Sequence, residues 1–147
     1  MAGRTTRVEP WDGWVASRPA CHLRAPAAPG VLLDAFVRAA RGARLRVAVG
    51  AAGARAARGV RLGGLAAEVL QLPVAHLWAR LEVRADERAV VDEPQLRELR
   101  VVCVAGEREP GSATSVARLL DDAVARVERS GVAVDVLPWA AALDGAT

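Results

Sequence analysis

The 147-residue sequence contains no lysine, asparagine, isoleucine or tyrosine, and only one phenylalanine. These residue types share AT-rich codons, so the composition predicts a GC-rich coding sequence and favours a bacterial source. All 20 basic residues are arginine, which keeps its proton at high pH, so a formal net charge of only +3 accompanies a pI near 10.0. The high pI is therefore weak evidence for nucleic-acid binding.

Cysteines and long apolar runs are also scarce. Cys21 and Cys103 lie far apart, and their spacing does not indicate a metal site. Cys103 lies in an apolar run and is expected to be a buried free thiol, although a disulfide is left open. No run approaches the roughly 20 apolar residues of a membrane-spanning helix, and the first residues lack an apolar stretch of signal-peptide length. These absences predict a cytoplasmic protein without a membrane partner.

Aromatic residues make up only 3% of the chain. A sheet that binds RNA commonly stacks bases on aromatic strand residues, so the composition disfavours a nucleic-acid partner. One feature points the other way. Trp78, Arg80 and Arg84 alternate with apolar residues and are expected on the wet face of one strand.

Hydropathy periodicity predicts an α+β domain over residues 30–147, preceded by an irregular, proline-containing arm over residues 1–29 with a short strand at 14–16. The tryptophans of the arm, Trp11 and Trp14, are expected to pack back on the domain. From residue 44 the predicted order βαββαβ favours a ferredoxin-like sandwich, a four-stranded sheet with two helices on one face. The predicted strands are 44–50, 75–85, 96–106 and 132–139. The two predicted helices of the sandwich are 51–73 and 112–130, and an extra helix is predicted at 30–42. Residues 86–95 are expected to be a linker.

The last helix has the clearest pattern in the chain. Ser112 is its expected N-cap and Gly131 its expected left-handed C′ residue. Asp122 and Arg126 are spaced for an ion pair on one helix face. Apolar residues recur at helical spacing and predict a buried stripe: Val116, Leu119, Leu120, Ala123, Val124 and Val127.

The stretch "GEREPGSATS", residues 106–115, connects a predicted strand to this helix. Its two glycines have the spacing of a phosphate-binding loop, but Ser112 and Ala113 stand where that motif has lysine and a metal-binding hydroxyl. The residues favour a capped turn first and an anion site second. The candidate anion ligands are Gly106, Arg108, Gly111, Ser112, Thr114 and Ser115.

Residues 99–139 resemble the first strand, phosphate loop and helix of NADPH-dependent flavin reductases, through "VVCVAGEREPGSATSVARLL" and "GVAVDVLPW". The resemblance implies a flavin-dependent or phosphate-ligand enzyme that uses the Gly106–Ser115 loop. FMN or a nucleotide is the alternative ligand on this reading, whereas the residues alone predict no cofactor.

The segment "CHLRAPAAPGVLLDAFVRAA" is similar in outline to the active-site segment of histidine-containing phosphocarrier proteins. In that family a His-Ala-Arg-Pro-Ala run opens the first helix, and the histidine accepts phosphate at the helix N-terminus. Here the proline of the run is displaced by one residue, to Pro26. The resemblance implies a phosphocarrier-like protein that uses His22, while the residues alone favour a loop histidine.

With two histidines and two separated cysteines, the sequence offers no convergent catalytic set. We therefore predict a small non-catalytic binding or assembly module that acts through its sheet face or edge. A homo-oligomer or a protein partner is the expected assembly. Trp78, Arg80 and Arg84 are the candidate partner-binding residues.

Overall fold

A computed structural model of the chain describes residues 7–12, 18–59, 80–109 and 111–142. These ranges form seven strands and two helices. In chain order the elements are β1 (Pro19–Ala25), α1 (Val31–Gly42), β2 (Arg46–Gly50), β3 (Gly53–Arg58), β4 (Leu81–Val90), β5 (Glu93–Ala105), α2 (Ser112–Glu128), β6 (Asp135–Val136) and β7 (Ala140–Ala141).

The strands form one antiparallel sheet in the order β2-β3-β4-β5-β1-β6, and β7 pairs with β1. β5 is 13 residues long and lies between β4 and β1, in the interior of the sheet. The predicted α+β class is confirmed. The ferredoxin-like plan is not, because the sheet has seven strands instead of four and β1 lies inside it.

The prediction of an irregular arm over residues 1–29 is not confirmed, because its last third contains β1. Cys21, Leu23 and Ala25 are buried in the core, and the residues between them face the other side of the sheet. Proline is tolerated at a strand end, where its missing N–H breaks no ladder hydrogen bond, and Pro19 opens β1. The period-two pattern of the segment therefore outweighs its prolines.

The sequence also predicts a helix from residue 51, but the chain forms the β2–β3 hairpin there. Alanine and arginine are good helix formers, yet Ala54 and Ala56 are buried with a period of two, and β3 pairs with strands on both sides. Gly53 adopts φ +123, and a Cβ at this position would lie 2.2 Å from the Ala85 carbonyl oxygen. Tertiary pairing thus prevails over local propensity. The rest of the predicted helix lies outside the described residues, as does the short strand expected at 14–16.

Residues 86–95, expected to be a linker, form the end of a long β4–β5 hairpin. β4 extends to Val90 and β5 begins at Glu93. The many charges in this stretch resemble those of a linker, but in the hairpin they pair across the two strands, as Arg88 does with Glu98.

The core lies between one face of the sheet and the two helices, which also pack on each other. Phe36 of α1 is fully buried. The predicted stripe of α2 is confirmed, because all six of its apolar residues are buried. Gly131 has φ +90, so its left-handed conformation is confirmed, and Arg126 Nε lies 3.2 Å from Asp122 Oδ2 as expected.

A carboxylate from the sheet accepts hydrogen bonds from the N-terminus of helix α1. Glu87 of β4 accepts hydrogen bonds from the backbone N–H groups of Gly30 at 2.6 Å and Leu33 at 3.0 Å. Negative charge is favourable at a helix N-terminus, where the first N–H groups have no partner within the helix. Arg97 Nη2 lies 3.0 Å from the same carboxylate and balances its charge.

The segment 7–12 docks on the end of the domain. Trp11 is buried and packs edge-on against Trp139, with 5.1 Å between ring centroids. Trp139 Nε1 donates to the Glu9 carbonyl oxygen at 2.7 Å, and the Val8 N–H donates to Asp121. The expected packing of Trp11 is therefore confirmed, while Trp14 lies outside the described residues. Neither helix in the described ranges has the length and apolar character needed to cross a membrane.

Candidate binding face

Helices cover one face of the sheet, and no helix in the described ranges lies on the other, which we call the open face. Because successive strand residues point to opposite sides, the strands that supply the core also supply this face. In the register of β1, β5, β4 and β3, the open face carries His22, Arg24, Glu98, Arg100, Val102, Arg88, Asp86, Arg84, Glu82 and Arg55.

One row of the open face is self-neutralising. Arg24, Glu98 and Arg88 lie opposite one another on three neighbouring strands. Arg24 Nε donates to Glu98 Oε2 at 2.6 Å, and Arg88 Nε lies 3.7 Å from Glu98 Oε1. The carboxylate is buried between two more exposed guanidinium groups, so this row presents modest positive charge to solvent.

A second carboxylate, that of Glu82, is surrounded by three arginines. Arg80 Nη2 and Arg84 Nε donate to it at 3.0 and 3.2 Å, and Arg55 Nη1 lies 3.8 Å away. Burial of the Glu82 carboxyl would raise its pKa, but the hydrogen bonds from Arg80 and Arg84 and the charge of Arg55 outweigh burial and lower it. The Glu82 side chain is 4% exposed whereas those of the arginines are 44–61% exposed, so the cluster shows guanidinium groups to solvent.

A groove of about 500 Å³ crosses the open face next to this cluster. Among its described lining residues are four arginines, Arg18, Arg55, Arg84 and Arg100, and one carboxylate, Asp86. The other described lining residues are alanines, glycines and valines, so this part of the wall is apolar and its charged groups are mostly cationic. Few charged groups over an apolar surface are typical of ligand and peptide sites.

Arg100 lines the groove and differs from its neighbours. It lies on β5, opposite His22 on one side and Asp86 on the other, and is partly buried. Its side chain forms no hydrogen bond and no ion pair within the described part of the chain. A guanidinium carries five N–H donors and remains charged, so Arg100 has the capacity to bind a carboxylate or phosphate in two-point fashion.

The structure places His22 in the middle of β1, whereas α1 begins only at Val31. The resemblance to phosphocarrier proteins implies a histidine at a helix N-terminus, and that geometry is not present here. Burial lowers the pKa of His22, and the positive charges of Arg100, Arg88 and Arg24 act in the same direction against the opposing effect of Glu98. The imidazole is therefore neutral at pH 7 and adds a hydrogen-bonding group, not a charge, to the open face.

The Gly106–Ser115 loop forms a turn that leads into α2. Gly111 occupies the N-cap position with φ +82, and no side chain caps the helix, so the prediction of a Ser112 cap is wrong. The reason is that the left-handed glycine starts the helix one residue earlier than expected. The backbone N–H groups of Ser112 and Ser115 donate to carbonyl oxygens of Glu109 and Gly111. The anion-binding role of the loop stays a prediction.

The remaining loop candidates have different surroundings. Ser112 is buried at 2% exposure, whereas Arg108 and Thr114 are exposed and Ser115 is partly buried. Gly106 is required by packing, because a Cβ there would lie 2.2 Å from the Arg80 carbonyl oxygen. None of the six candidate residues lines the groove on the open face. Every strand pair in the described sheet is antiparallel, unlike the parallel sheet of flavodoxin-like folds.

Of the three candidate partner-binding residues, the structure brings two together. Arg80 and Arg84 meet at the Glu82 carboxylate, and Arg84 lines the groove. Trp78 lies outside the described residues. Sequence reasoning missed Arg100, although the alternation of Glu98, Leu99, Arg100 and Val101 carried the signal that a charged face backs the apolar one.

Nucleophiles and metal ligands are not assembled in the described part of the chain. Burial raises the pKa values of the Cys21 and Cys103 thiols to about 12, so both stay protonated at neutral pH, and both are free, as expected for Cys103. No three histidine, cysteine, aspartate or glutamate side chains of the described ranges are grouped so as to hold a metal ion.

Comparison with known proteins adds no residue assignments. No family model matches the chain, and no curated protein matches it.

Proposed function

We propose that the protein is a non-catalytic binding module that holds an acidic segment of a protein partner on its open face. The observation that carries the proposal is the groove, in which the partly buried Arg100 has no ion pair within the described residues. An unpaired guanidinium that is partly removed from water gains more from an incoming carboxylate than a fully solvated one does.

The charge balance of the groove supports the same partner chemistry. Four guanidinium groups line a volume of about 500 Å³, and among the described lining residues Asp86 alone carries a carboxylate. Charges of one sign in a cleft raise the local concentration of oppositely charged ligands and speed their association. An acidic peptide would therefore be attracted before any close contact forms, and added salt would weaken the attraction.

A protein segment fits the face better than a nucleic acid does. Single-stranded nucleic acids bind sheet faces through aromatic side chains that stack on the bases. The described open face carries no aromatic residue, and small aliphatic side chains such as Val102 and Ala48 line the groove instead. Such walls suit aliphatic side chains placed between the carboxylates of a peptide.

The proposal is tested by fluorescence anisotropy with a labelled peptide in which glutamate and valine alternate. We expect Arg100→Gln to weaken binding by roughly tenfold, since a hydrogen bond to a charged group contributes about 1.5–3 kcal/mol. The matched control is Arg118→Gln, which removes the same charge from the exposed outer side of α2 and should leave the affinity unchanged.

Three results would contradict the proposal. One is no binding of the acidic peptide at low salt, and another is an equal loss from both variants, which would indicate general charge attraction. The third is tighter binding of a single-stranded oligonucleotide than of the peptide. If FMN or ATP raised the melting temperature, and Gly111→Val abolished that shift, the Gly106–Ser115 loop would replace the open face as the site.

A further inference from the structure

The edge strand β2 is a second candidate interaction surface, because one of its edges has no strand partner in the described ranges. It is last in the sheet order, and β3 is its only strand neighbour in the described ranges. The opposite side of the sheet ends in β6 and β7, which have two residues each. A sheet edge presents unpaired N–H and C=O groups, and very short edge strands limit pairing with other chains. β2, with five residues, has no such protection within the described ranges.

The composition of β2 favours pairing as well. Its sequence is RVAVG, with no proline and a single charge at its first residue. The guanidinium of that residue, Arg46, donates to the Gly59 carbonyl oxygen at 2.6 Å. Val49 is 58% exposed and is one of two large exposed hydrophobic side chains in the described ranges; the other is Val91. Edge strands that stay single usually carry charges or proline at such positions.

We infer that β2 pairs with β2 of a second copy of the chain, antiparallel about a two-fold axis at Ala48. In this register Val47 lies opposite the partner's Val49, and Arg46 lies opposite the partner's Gly50. Val47 and Val49 are paired to the buried Ala56 and Ala54, so they lie on the side of the sheet that the helices cover. Pairing would bury Val49 and extend the apolar layer across the axis.

A second copy fits this edge because the strand is complementary to itself. A two-fold interface brings the same patch of both subunits together. A charged residue at the axis would therefore face its own copy, whereas a charged residue away from the axis faces a different residue of the partner. Here the one charged residue, Arg46, faces glycine, and the centre of the contact is alanine on alanine. Like charges directly opposite across strands destabilise a sheet, and this register has none.

The dimer would join the two open faces. Ala48 is paired to Arg55 on the open face, and both line the groove. Across the axis the row would run from Arg55 through Ala48 and the partner's Ala48 to the partner's Arg55. With strands about 4.8 Å apart, the Cα atoms of the two arginines would lie about 14 Å apart. Two grooves would thus form one cationic surface.

Sedimentation equilibrium of the full chain tests the inference. Five-residue strands bury a small interface, so we expect a dimer with a dissociation constant on the order of 10 μM. Val49→Lys places a charge on the edge and should give a monomer up to about 100 μM. Val91→Lys adds the same charge at the hairpin tip and should dimerise like the wild type. Circular dichroism of each variant verifies that it is folded.

Hydrogen exchange locates the contact. Backbone amides of residues 46–50 should exchange more slowly at about 100 μM than at about 1 μM, with no such change in the other strands. A wild type that is monomeric at both concentrations would overturn the inference, as would amides of β2 that are equally protected at both. Arg100→Gln should still dimerise, so loss of acidic-peptide binding and loss of dimerisation are separate outcomes.

Discussion

The two faces of the sheet are built from alternate residues of the same strands, yet they differ in almost every physical property. On β5, Leu99, Val101 and Cys103 are completely buried under the helices, while Glu98 and Arg100 face the opposite side. Closing only one face leaves room for charges on the other without any cost to the core. A period of two lets one strand contribute to the core on one side and carry charged groups on the other.

A second contrast lies within the open face itself. Glu82 and Glu98 are each buried beneath two or three arginines, and these groups satisfy one another. Arg100, two residues from Glu98 on β5, forms no ion pair with a carboxylate within the described residues. Paired charges stabilise the fold, and the groove beside Arg100 is the site that we propose for a ligand. The variants below separate these roles.

The covered face should show the largest effect. Leu120→Ala removes a completely buried side chain from α2 and should lower the free energy of unfolding by about 2–4 kcal/mol, because a cavity remains in the core. Urea denaturation measures this loss. The control Arg118→Ala lies on the exposed side of the same helix and should change stability by less than about 0.5 kcal/mol. Equal effects of the two would mean that the two sides of α2 are not distinct.

The end of the sheet, where the loop crosses β4, should be the next most sensitive place. Gly106 and Gly111 have nearly the same φ, +84 and +82, but only Gly106 has backbone within reach of an added Cβ. Gly106→Ala should therefore cost about 2–3 kcal/mol through strain and close contact, and Gly111→Ala about 1 kcal/mol through strain alone. Thermal melts of both variants give the comparison. A larger loss at Gly111 would contradict the described path of the loop.

On the open face, Glu82→Gln should have a smaller effect. It removes two charge-assisted hydrogen bonds, but the freed arginines are half exposed and regain water, so we expect a loss of about 1–2 kcal/mol at neutral pH. The folded-state pKa of Glu82 is lowered from the usual 4.5. Its stabilisation is thus complete above pH 4.5 and is lost as pH falls through the lower folded value.

Urea melts of wild type and Glu82→Gln between pH 7 and pH 3 test this dependence. The difference between the two proteins should be constant above pH 4.5 and should shrink below it. A difference that grows on acidification would mean that the carboxyl is protonated more easily in the folded chain, and that its arginine contacts do not form in solution.

The sequence alone predicts those elements whose structure is determined by local apolar spacing. The stripe of α2 follows from apolar spacing within a single segment, and it is confirmed. β3 could not be predicted from the sequence. Its alanines and arginines favour a helix locally, and the strand forms because β2 and β4 pair with it on both sides. β1 was missed because its prolines indicate an irregular segment, and the pairing that fixes it as a strand is with β5, some 75 residues along the chain.

The candidate site shows the same division. That Arg80 and Arg84 share a face follows from their spacing, as expected for one strand. Their meeting at Glu82 with Arg55, and the position of Arg100 opposite His22, depend on the register of four strands that are distant in sequence. The register between strands that are distant in sequence is set by packing of the whole core, so it cannot be predicted from a local motif.

The smallest effect is expected where the covered face begins, at the first residue of α2. Ser112→Ala should cost less than about 0.5 kcal/mol, because the hydroxyl caps nothing and alanine is the better helix former. The matched control is Ser130→Ala at the other end, where the hydroxyl donates to the Val127 carbonyl oxygen at 2.6 Å and its loss should cost about 1 kcal/mol. Urea melts rank the two variants. A loss of 1 kcal/mol or more at Ser112, with little at Ser130, would mean that the serine hydroxyl caps the helix in solution, and Gly111 would then be a loop residue and not the N-cap.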